Sequence, residues 1–180
     1  RHAGSAFPAA GLDIVLLGRT REELGGSAWL ALRRGLEAGL PPAVDLAHEK
    51  RLHGLLAGAV ARGLARSCHD VSDGGLAVAL AECGFTGTAL VGANVELSER
   101  MRPDALLFGE STGRVLIATA DAAALLAFAA ECRVPAQRIG ATGGERLRIA
   151  APGARAWIDC ELRALRESYE RAIPRRLEAA

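Results

Sequence analysis

Short apolar runs and longer amphipathic stretches follow one another along this chain. The run Asp13 to Leu17 predicts a buried strand, and Val115 to Thr119 predicts another. From Leu46 to about Leu64 apolar residues recur on one helical face, which predicts a long helix with Asp45 at its N-cap. Further strands are predicted over 65–69, 88–97, 137–141, 146–150 and 156–159, and further helices over 27–38, 76–83, 103–108, 121–131 and 161–177.

The irregular alternation of these elements predicts an α+β fold, a mixed β-sheet covered by helices, and disfavours a doubly wound parallel sheet. Gly143-Gly144 lies between two predicted strands and is typical of a hairpin turn. Residues 1–12 show little periodicity and are predicted to be an entering linker or arm. Residues 13–180 then form one domain, for which a length of 180 residues is ample.

Composition excludes several functional classes. Apolar residues make up 50% and charged residues 24%, which is ordinary for a soluble globular protein, and the formal net charge of +1 gives no sign of a nucleic-acid partner. The apolar runs are far too short for a membrane span, and the first residues lack the order of a signal peptide, so we expect a cytoplasmic protein without a membrane partner. Lys50 is the sole lysine, which excludes a P-loop, and the four cysteines form no C-x-x-C pair.

The stretch H-D-V-S-D-G-G-L, residues 69–76, carries the strongest candidate chemistry. It joins a predicted strand to a predicted helix, where glycines allow close approach and the helix start offers N–H groups to an anion. Asp70 and Asp73 would suit a phosphate that is carried with magnesium. The candidates are Asp70 for metal and Ser72, Gly74 and Gly75 for phosphate. The alternative is a plain turn in which Ser72 or Asp73 caps the helix.

The stretch F-G-E-S-T-G-R, residues 108–114, precedes a predicted strand. Glu110 and Ser111 could contact a substrate amine or hydroxyl, and Arg114 could bind a phosphate. The alternative is an exposed turn with a Glu110–Arg114 ion pair that contributes little.

Other motifs give weaker indications. In E-E-L-G-G-S, residues 22–27, we predict that Ser27 caps a helix, in preference to an anion nest at the glycines. His48 and His53 are spaced one residue too far apart for an H-E-x-x-H zinc site. No nucleophile elbow is present, and we assign no catalytic residue.

Taken together, these segments resemble phosphoribosylformylglycinamidine synthase, and specifically the C-terminal domain of its second aminoimidazole-ribonucleotide-synthetase-like half. The matching stretches cover nearly the whole chain in the family's order, and 67–82 is the most specific. They are L-L-G-R-T-R-E-E-L-G-G-S (16–27), P-A-V-D-L with E-K (42–50), S-C-H-D-V-S-D-G-G-L-A-V-A-L-A-E (67–82), F-G-E-S with G-R (108–114) and W-I-D through the Tyr169 helix.

The resemblance implies a fold like the C-terminal domain of aminoimidazole-ribonucleotide synthetase. It also implies a parent enzyme that uses ATP, Mg²⁺ and glutamine-derived ammonia to convert formylglycinamide ribonucleotide to its amidine. The parent would supply N-terminal nucleotide-binding domains, a first synthase half and a glutaminase subunit or domain. By itself this chain is expected to be inactive and, if it is a cut domain, to self-associate.

The resemblance also carries expectations about single residues. Asp70 stands where the family's first half places a magnesium ligand, and Glu110-Ser111-Thr112 stands where that half has a substrate-binding Glu-Ser-Gln. Thr112 departs from this pattern. The departure favours a second reading, a scaffold domain with a degenerate site. A third reading is the matching domain of selenophosphate synthetase, thiamine-monophosphate kinase or a hydrogenase-maturation protein.

Overall fold

The computed structural model describes residues 2–178, which form a single curled sheet with helices on both faces. The strands are β1 (Asp13–Leu17), β2 (Ser67–Asp70), β3 (Ala93–Glu96), β4 (Val115–Thr119), β5 (Ala136–Thr142), β6 (Arg146–Ala150) and β7 (Ile158–Glu161). The helices are α1 (Ala28–Arg34), α2 (Leu46–Arg62), α3 (Gly75–Phe85), α4 (Pro103–Phe108), α5 (Ala122–Glu131), α6 (Leu162–Glu170) and α7 (Ala172–Glu178).

The strand order across the sheet is β2-β4-β1-β5-β3-β6-β7. Each neighbouring pair is antiparallel except β3 and β6, which run parallel. The predicted mixed sheet covered by helices is therefore confirmed. Strands β2 and β4 are antiparallel neighbours in which Asp70 pairs with Val115. The segment after Asp70 and the segment before Val115 therefore lie side by side at one end of these strands.

Strands β1 and β4 are buried on both faces, which explains why their sequences are almost continuously apolar. In β1, Ile14 and Leu16 belong to the core under α3, α4 and α6, whereas Val15 and Leu17 belong to the core under α2 and α5. This alternation follows from the period of two residues along a strand. The sheet thus separates two hydrophobic cores.

Most predicted elements are confirmed, with shifted ends. Asp45 caps α2 by accepting a hydrogen bond from the N–H of His48 at 3.0 Å. Helix α1 is shorter than predicted, since it ends at Arg34 with Gly35 in the left-handed conformation. The closing helix, predicted as one, is divided at Arg171.

The predicted hairpin between β5 and β6 is wrong, because β3 lies between these two strands. The N–H of Gly143 donates to the carbonyl of Gly92 at 2.7 Å, and the N–H of Gly92 donates to the carbonyl of Gly144 at 2.7 Å. The glycine pair therefore receives the segment that leads into β3. A local turn signal could not reveal a strand that arrives from fifty residues earlier.

The residues before β1 pack on the core. Phe7 is 3% exposed, and its N–H donates to the carbonyl of Cys83 at 2.7 Å. The division into an arm over 1–12 and a domain over 13–180 stays a prediction, and Arg1, Ala179 and Ala180 lie outside the described residues. Among the helices of residues 2–178, none has the length and apolar character needed to cross a bilayer.

Candidate functional site

The carboxylate of Glu110 joins the three segments that the sequence singles out. Its Oε1 accepts a hydrogen bond from the N–H of Ala28, at the start of α1, at 2.9 Å. The same oxygen accepts one from the N–H of Gly74, just before α3, at 2.8 Å. The backbone N–H of Glu110 in turn donates to the carbonyl of Glu23 at 3.3 Å. Residues 22–27, 69–76 and 108–114 are therefore one structural unit.

Arg114 supports this unit from beneath. Its side chain is 1% exposed, and it donates to the carbonyl of Ser111 at 3.1 Å, to the carbonyl of Gly109 at 2.5 Å and to the hydroxyl of Thr20 at 3.3 Å. Burial lowers the pKa of the guanidinium to about 10, while the carboxylates of Glu23 and Glu110 act to raise it. The sequence suggested that Arg114 could bind a phosphate. In the structure its guanidinium donates to protein atoms and holds the loop in shape.

Ser111 and Thr112 also contact protein atoms. The hydroxyl of Ser111 accepts from the N–H of Arg21 at 3.1 Å, and Ser111 is 1% exposed. The hydroxyl of Thr112 donates to the carbonyl of Ala43 at 2.8 Å. Ser111 therefore fixes the loop after β1, and Thr112 fixes the segment that precedes α2.

The glycines of residues 69–76 allow two protein segments to meet. Gly75 has φ +71°, and a Cβ built on it would lie 2.7 Å from the carbonyl oxygen of Gly109. Its N–H donates to the carbonyl of Ser72 at 2.9 Å, and the N–H of Gly74 is the donor to Glu110. Both N–H groups that the sequence offered to an anion are therefore hydrogen-bonded within the protein. The close approach at Gly75 is to the loop of Glu110.

Ser27 is the N-cap of α1, as predicted. Its hydroxyl accepts from the N–H of Leu30 at 3.2 Å. The preceding Gly25 lies against the backbone of Leu40, since a Cβ there would be 2.2 Å from its carbonyl oxygen.

An open cleft of about 500 Å³ borders the unit formed around Glu110. Its lining includes Asp70, Ser72, Asp73 and Glu110, together with four residues of α2: Glu49, Leu52, His53 and Leu56. The Asp70 side chain is 74% exposed, so its carboxylate faces solvent. The structure thus places the carboxylate candidates and Ser72 at one cleft, while Ser111 lies buried behind it.

His69 is tied to the residues around it. Its Nδ1 lies 2.6 Å from the carbonyl oxygen of Asp70, and its Nε2 lies 3.3 Å from a carboxylate oxygen of Glu82 on α3. These contacts orient the end of β2, from which Asp70 projects.

The fit of this cleft to a metal ion follows from its donor set. Across residues 2–178, no group of three or more His, Cys, Asp or Glu side chains gathers as a dedicated metal site. Magnesium is commonly held by one or two carboxylates together with ligand phosphates. Asp70 and Asp73 therefore fit a magnesium ion that arrives with a phosphate, and do not form a cage that would hold the ion alone.

Sequence reasoning overlooked Glu23. Its Oε1 accepts from the N–H of Ala43 at 3.2 Å, and its backbone carbonyl accepts from Glu110. Glu23 lies between the L-G-R-T and L-G-G-S stretches, which was the one indication of its importance. Its hydrogen-bond partners, 20 and 87 residues away, could not be inferred from that position.

Comparison with known proteins gives consistent results. Residues 9–150 match the family model described as AIR synthase related protein, C-terminal domain. The PurL subunit of phosphoribosylformylglycinamidine synthase from Anaeromyxobacter sp. (strain Fw109-5) is 44% identical over 172 residues, covering 86% of this chain and 22% of that protein. This chain therefore spans less than a quarter of the length of that relative.

Two solved structures of Thermotoga maritima PurL share the fold. The complex with FGAR has a TM-score of 0.79 at 23% identity, covering 91% of this chain and 29% of that one. The complex with ATP has a TM-score of 0.71 at 21% identity, covering 91% of this chain and 27% of that one.

Proposed function

This chain belongs to the AIR synthase related protein C-terminal domain family, and from that premise we propose that it is the C-terminal domain of the second half of a phosphoribosylformylglycinamidine synthase. The 44% identity to a PurL subunit supports this parent. In purine biosynthesis the parent would be an ATP-dependent ligase that forms the amidine of formylglycinamide ribonucleotide with glutamine-derived ammonia. The solved relatives carrying FGAR and ATP support these substrates.

The observation that carries the proposal is the Glu110 carboxylate, which fixes two other segments beside the cleft. Because both segments are hydrogen-bonded to Glu110, Asp70, Ser72 and Asp73 are presented in a defined arrangement. A bound magnesium ion would supply positive charge that offsets a ligand phosphate. Asp70 would hold that ion, with Asp73 beside it, and the Ser72 hydroxyl could donate to a phosphate oxygen.

Missing parts of the parent would complete the site. The cleft is open, and Asp70 is largely exposed, so the nucleotide-binding domain of the parent would form its opposite wall. We propose the remaining synthetase domains and a glutaminase subunit or domain as partners, and a cytoplasmic location. The isolated chain is then inactive, because it provides no catalytic group of its own.

A scaffold role is the second candidate. It is favoured by the buried or hydrogen-bonded state of Ser111, Thr112 and Arg114, which all contact protein atoms. Under this alternative the unit around Glu110 stabilises the parent and binds no ligand.

Calorimetric titration with Mg–ADP, then with formylglycinamide ribonucleotide, distinguishes the two roles. The proposal predicts saturable binding of Mg–ADP that weakens by about tenfold or more in Asp70→Ala, since removing a charged ligand contact costs at least about 1.4 kcal/mol. Asp121→Asn is the control, because it removes one carboxylate beyond the far end of β4 and keeps a good N-cap. Absence of heat with either ligand would refute a site that binds without the parent's other domains and would leave the scaffold role as the account of this chain by itself.

A further inference from the structure

A second cleft, lined by arginines, adjoins the first half of α2 beside the Asp70 cleft. It has a volume of about 220 Å³ and is lined by Arg19, Arg21, Asp45, His48, Arg51, Thr112, Arg133 and Pro135. Residues 45, 48 and 51 of this region face the arginine cleft, whereas 49, 52, 53 and 56 face the cleft of Asp70. Thr112 borders both. The arginine cleft therefore shares none of the residues proposed above for metal or phosphate.

Charge in the arginine cleft is strongly unbalanced. Four guanidinium groups line it, against one carboxylate, that of Asp45. This carboxylate caps α2, and the hydrogen bond from the backbone N–H of His48 is the main cause that holds its pKa below the ordinary value. Arg21 has a carboxylate partner in Glu23 at 3.8 Å, and Arg51 is attracted electrostatically by Asp45. The net charge of the whole chain is only +1, so the excess of positive charge in this cleft comes from the way the fold gathers these arginines.

Arg133, one of the lining residues of the arginine cleft, has an unusual backbone conformation. Within residues 2–178, Arg133 is the one non-glycine residue with positive φ, at 55°. It follows the last turn of α5, where a left-handed residue closes the helix and glycine is the usual choice. An arginine here adopts a conformation that glycine adopts with less strain. Glycine fits this backbone without strain, so the Arg133 guanidinium can be removed there to test its role.

We propose that the arginine cleft binds a compact phosphate-bearing anion, either pyrophosphate or the phosphate of a small sugar phosphate. Exposed arginines from three separate parts of the chain, the loop after β1, α2 and the turn after α5, line it. Guanidinium forks match phosphate oxygens in pairs. Its volume lies below the roughly 300–1,000 Å³ typical of pockets for drug-sized ligands, which favours a small anion over a whole nucleotide.

The inference does not depend on the proposed parent activity. It is tested by titrating the chain with inorganic pyrophosphate and, separately, with ribose 5-phosphate, at constant ionic strength with EDTA present. Removal of divalent metal keeps the Asp70 cleft from contributing. Saturable binding of one equivalent is expected, and the tighter of the two probes identifies whether the natural ligand is an inorganic anion or a sugar phosphate.

Arg133→Gly is the decisive variant. It removes a guanidinium and relieves the positive φ, so the melting temperature without ligand stays the same or rises, while anion affinity falls by at least about tenfold. Arg51→Gln gives a second loss of affinity on a helix surface. Arg100→Gln is the control for net charge, because Arg100 is exposed and lies outside the cleft.

Two results would overturn the proposal. The first is the absence of saturable binding with either probe. The second is affinity that Arg133→Gly and Arg51→Gln leave unchanged, or that Arg100→Gln lowers equally, since the attraction would then come from net charge alone.

Discussion

Glu110 is the residue on which the arrangement of the candidate site depends most. One carboxylate oxygen accepts hydrogen bonds from backbone N–H groups 82 and 36 residues away in sequence. Hydrogen bonds to a charged acceptor contribute more to stability than neutral ones, and donors left without a partner in a partly buried position are costly. A single side chain therefore couples the starts of α1 and α3 to the loop before β4.

Glu110→Ala is expected to lower the free energy of unfolding by about 2–4 kcal/mol, because it leaves two backbone donors without their acceptor. Glu110→Gln keeps an oxygen at that position and should cost only about 1 kcal/mol. Urea denaturation of the three proteins measures both values. Surface substitutions typically change the free energy of unfolding by no more than about 0.5 kcal/mol. A change that small for Glu110→Ala would refute the coupling role.

At the level of elements, α2 packs closely against α5 at one of its two glycines, Gly58, and not at the other, Gly54. A Cβ on Gly58 would lie 2.6 Å from Cζ of Phe128, whereas one on Gly54 would meet nothing within 4 Å. The Phe128 ring is covered by the guanidinium of Arg62, whose Cζ lies 3.8 Å from the ring centroid. The same helix therefore provides one glycine required by packing and one that is not.

Gly54→Ala should raise the free energy of unfolding by about 0.5–1 kcal/mol, because alanine is the better helix former. Gly58→Ala gains the same propensity but must displace a packed ring, and it should lower stability by about 1–3 kcal/mol. Thermal unfolding of the pair measures the difference. Equal stabilisation by both substitutions would show that α2 and α5 are not packed as described.

Some strands and helices could be predicted from the sequence, whereas their pairing could not. Periodicity and caps located β1, β4, α2 and α4, because these signals depend on neighbouring residues. The position of β3 between β5 and β6 depends on pairing between distant segments, and the local glycine pair suggested a hairpin instead.

The candidate site illustrates the same limit. Its three segments were recognised from glycines, carboxylates and hydroxyls, but their union by Glu110 and Arg114 is a product of tertiary structure. The arginine cleft was not foreseen at all, since its residues are spread from 19 to 135 and the net charge is nearly zero.

At the scale of the whole molecule, one stretch of the surface is unusually apolar. Five large side chains between α1 and the start of α2 are exposed, namely Leu32 at 86%, Leu36 at 52%, Leu40 at 87%, Val44 at 62% and Leu46 at 78%. Large exposed apolar patches commonly mark protein interfaces. The chain spans less than a quarter of its relatives, so we expect this patch to face other domains of the parent.

The isolated chain is accordingly expected to self-associate through this patch. Light scattering should show a mass that rises with concentration, and the double variant Leu32→Glu/Leu40→Glu should remain monomeric, because burying charges in the interface is unfavourable. Leu177→Glu, at another exposed leucine, is the control and should still associate. A chain that is strictly monomeric at high concentration would contradict this expectation.

Asp70 and its neighbours are proposed to form a cleft for a phosphate that is carried with a divalent cation. A crystal structure grown with ADP and Mn²⁺ in place of Mg²⁺ tests it most directly, because the anomalous signal locates the metal. We predict a manganese peak within coordination distance of the Asp70 carboxylate, with an ADP phosphate on its other side. A peak elsewhere, or ADP bound without contact to residues 70–75, would contradict the account.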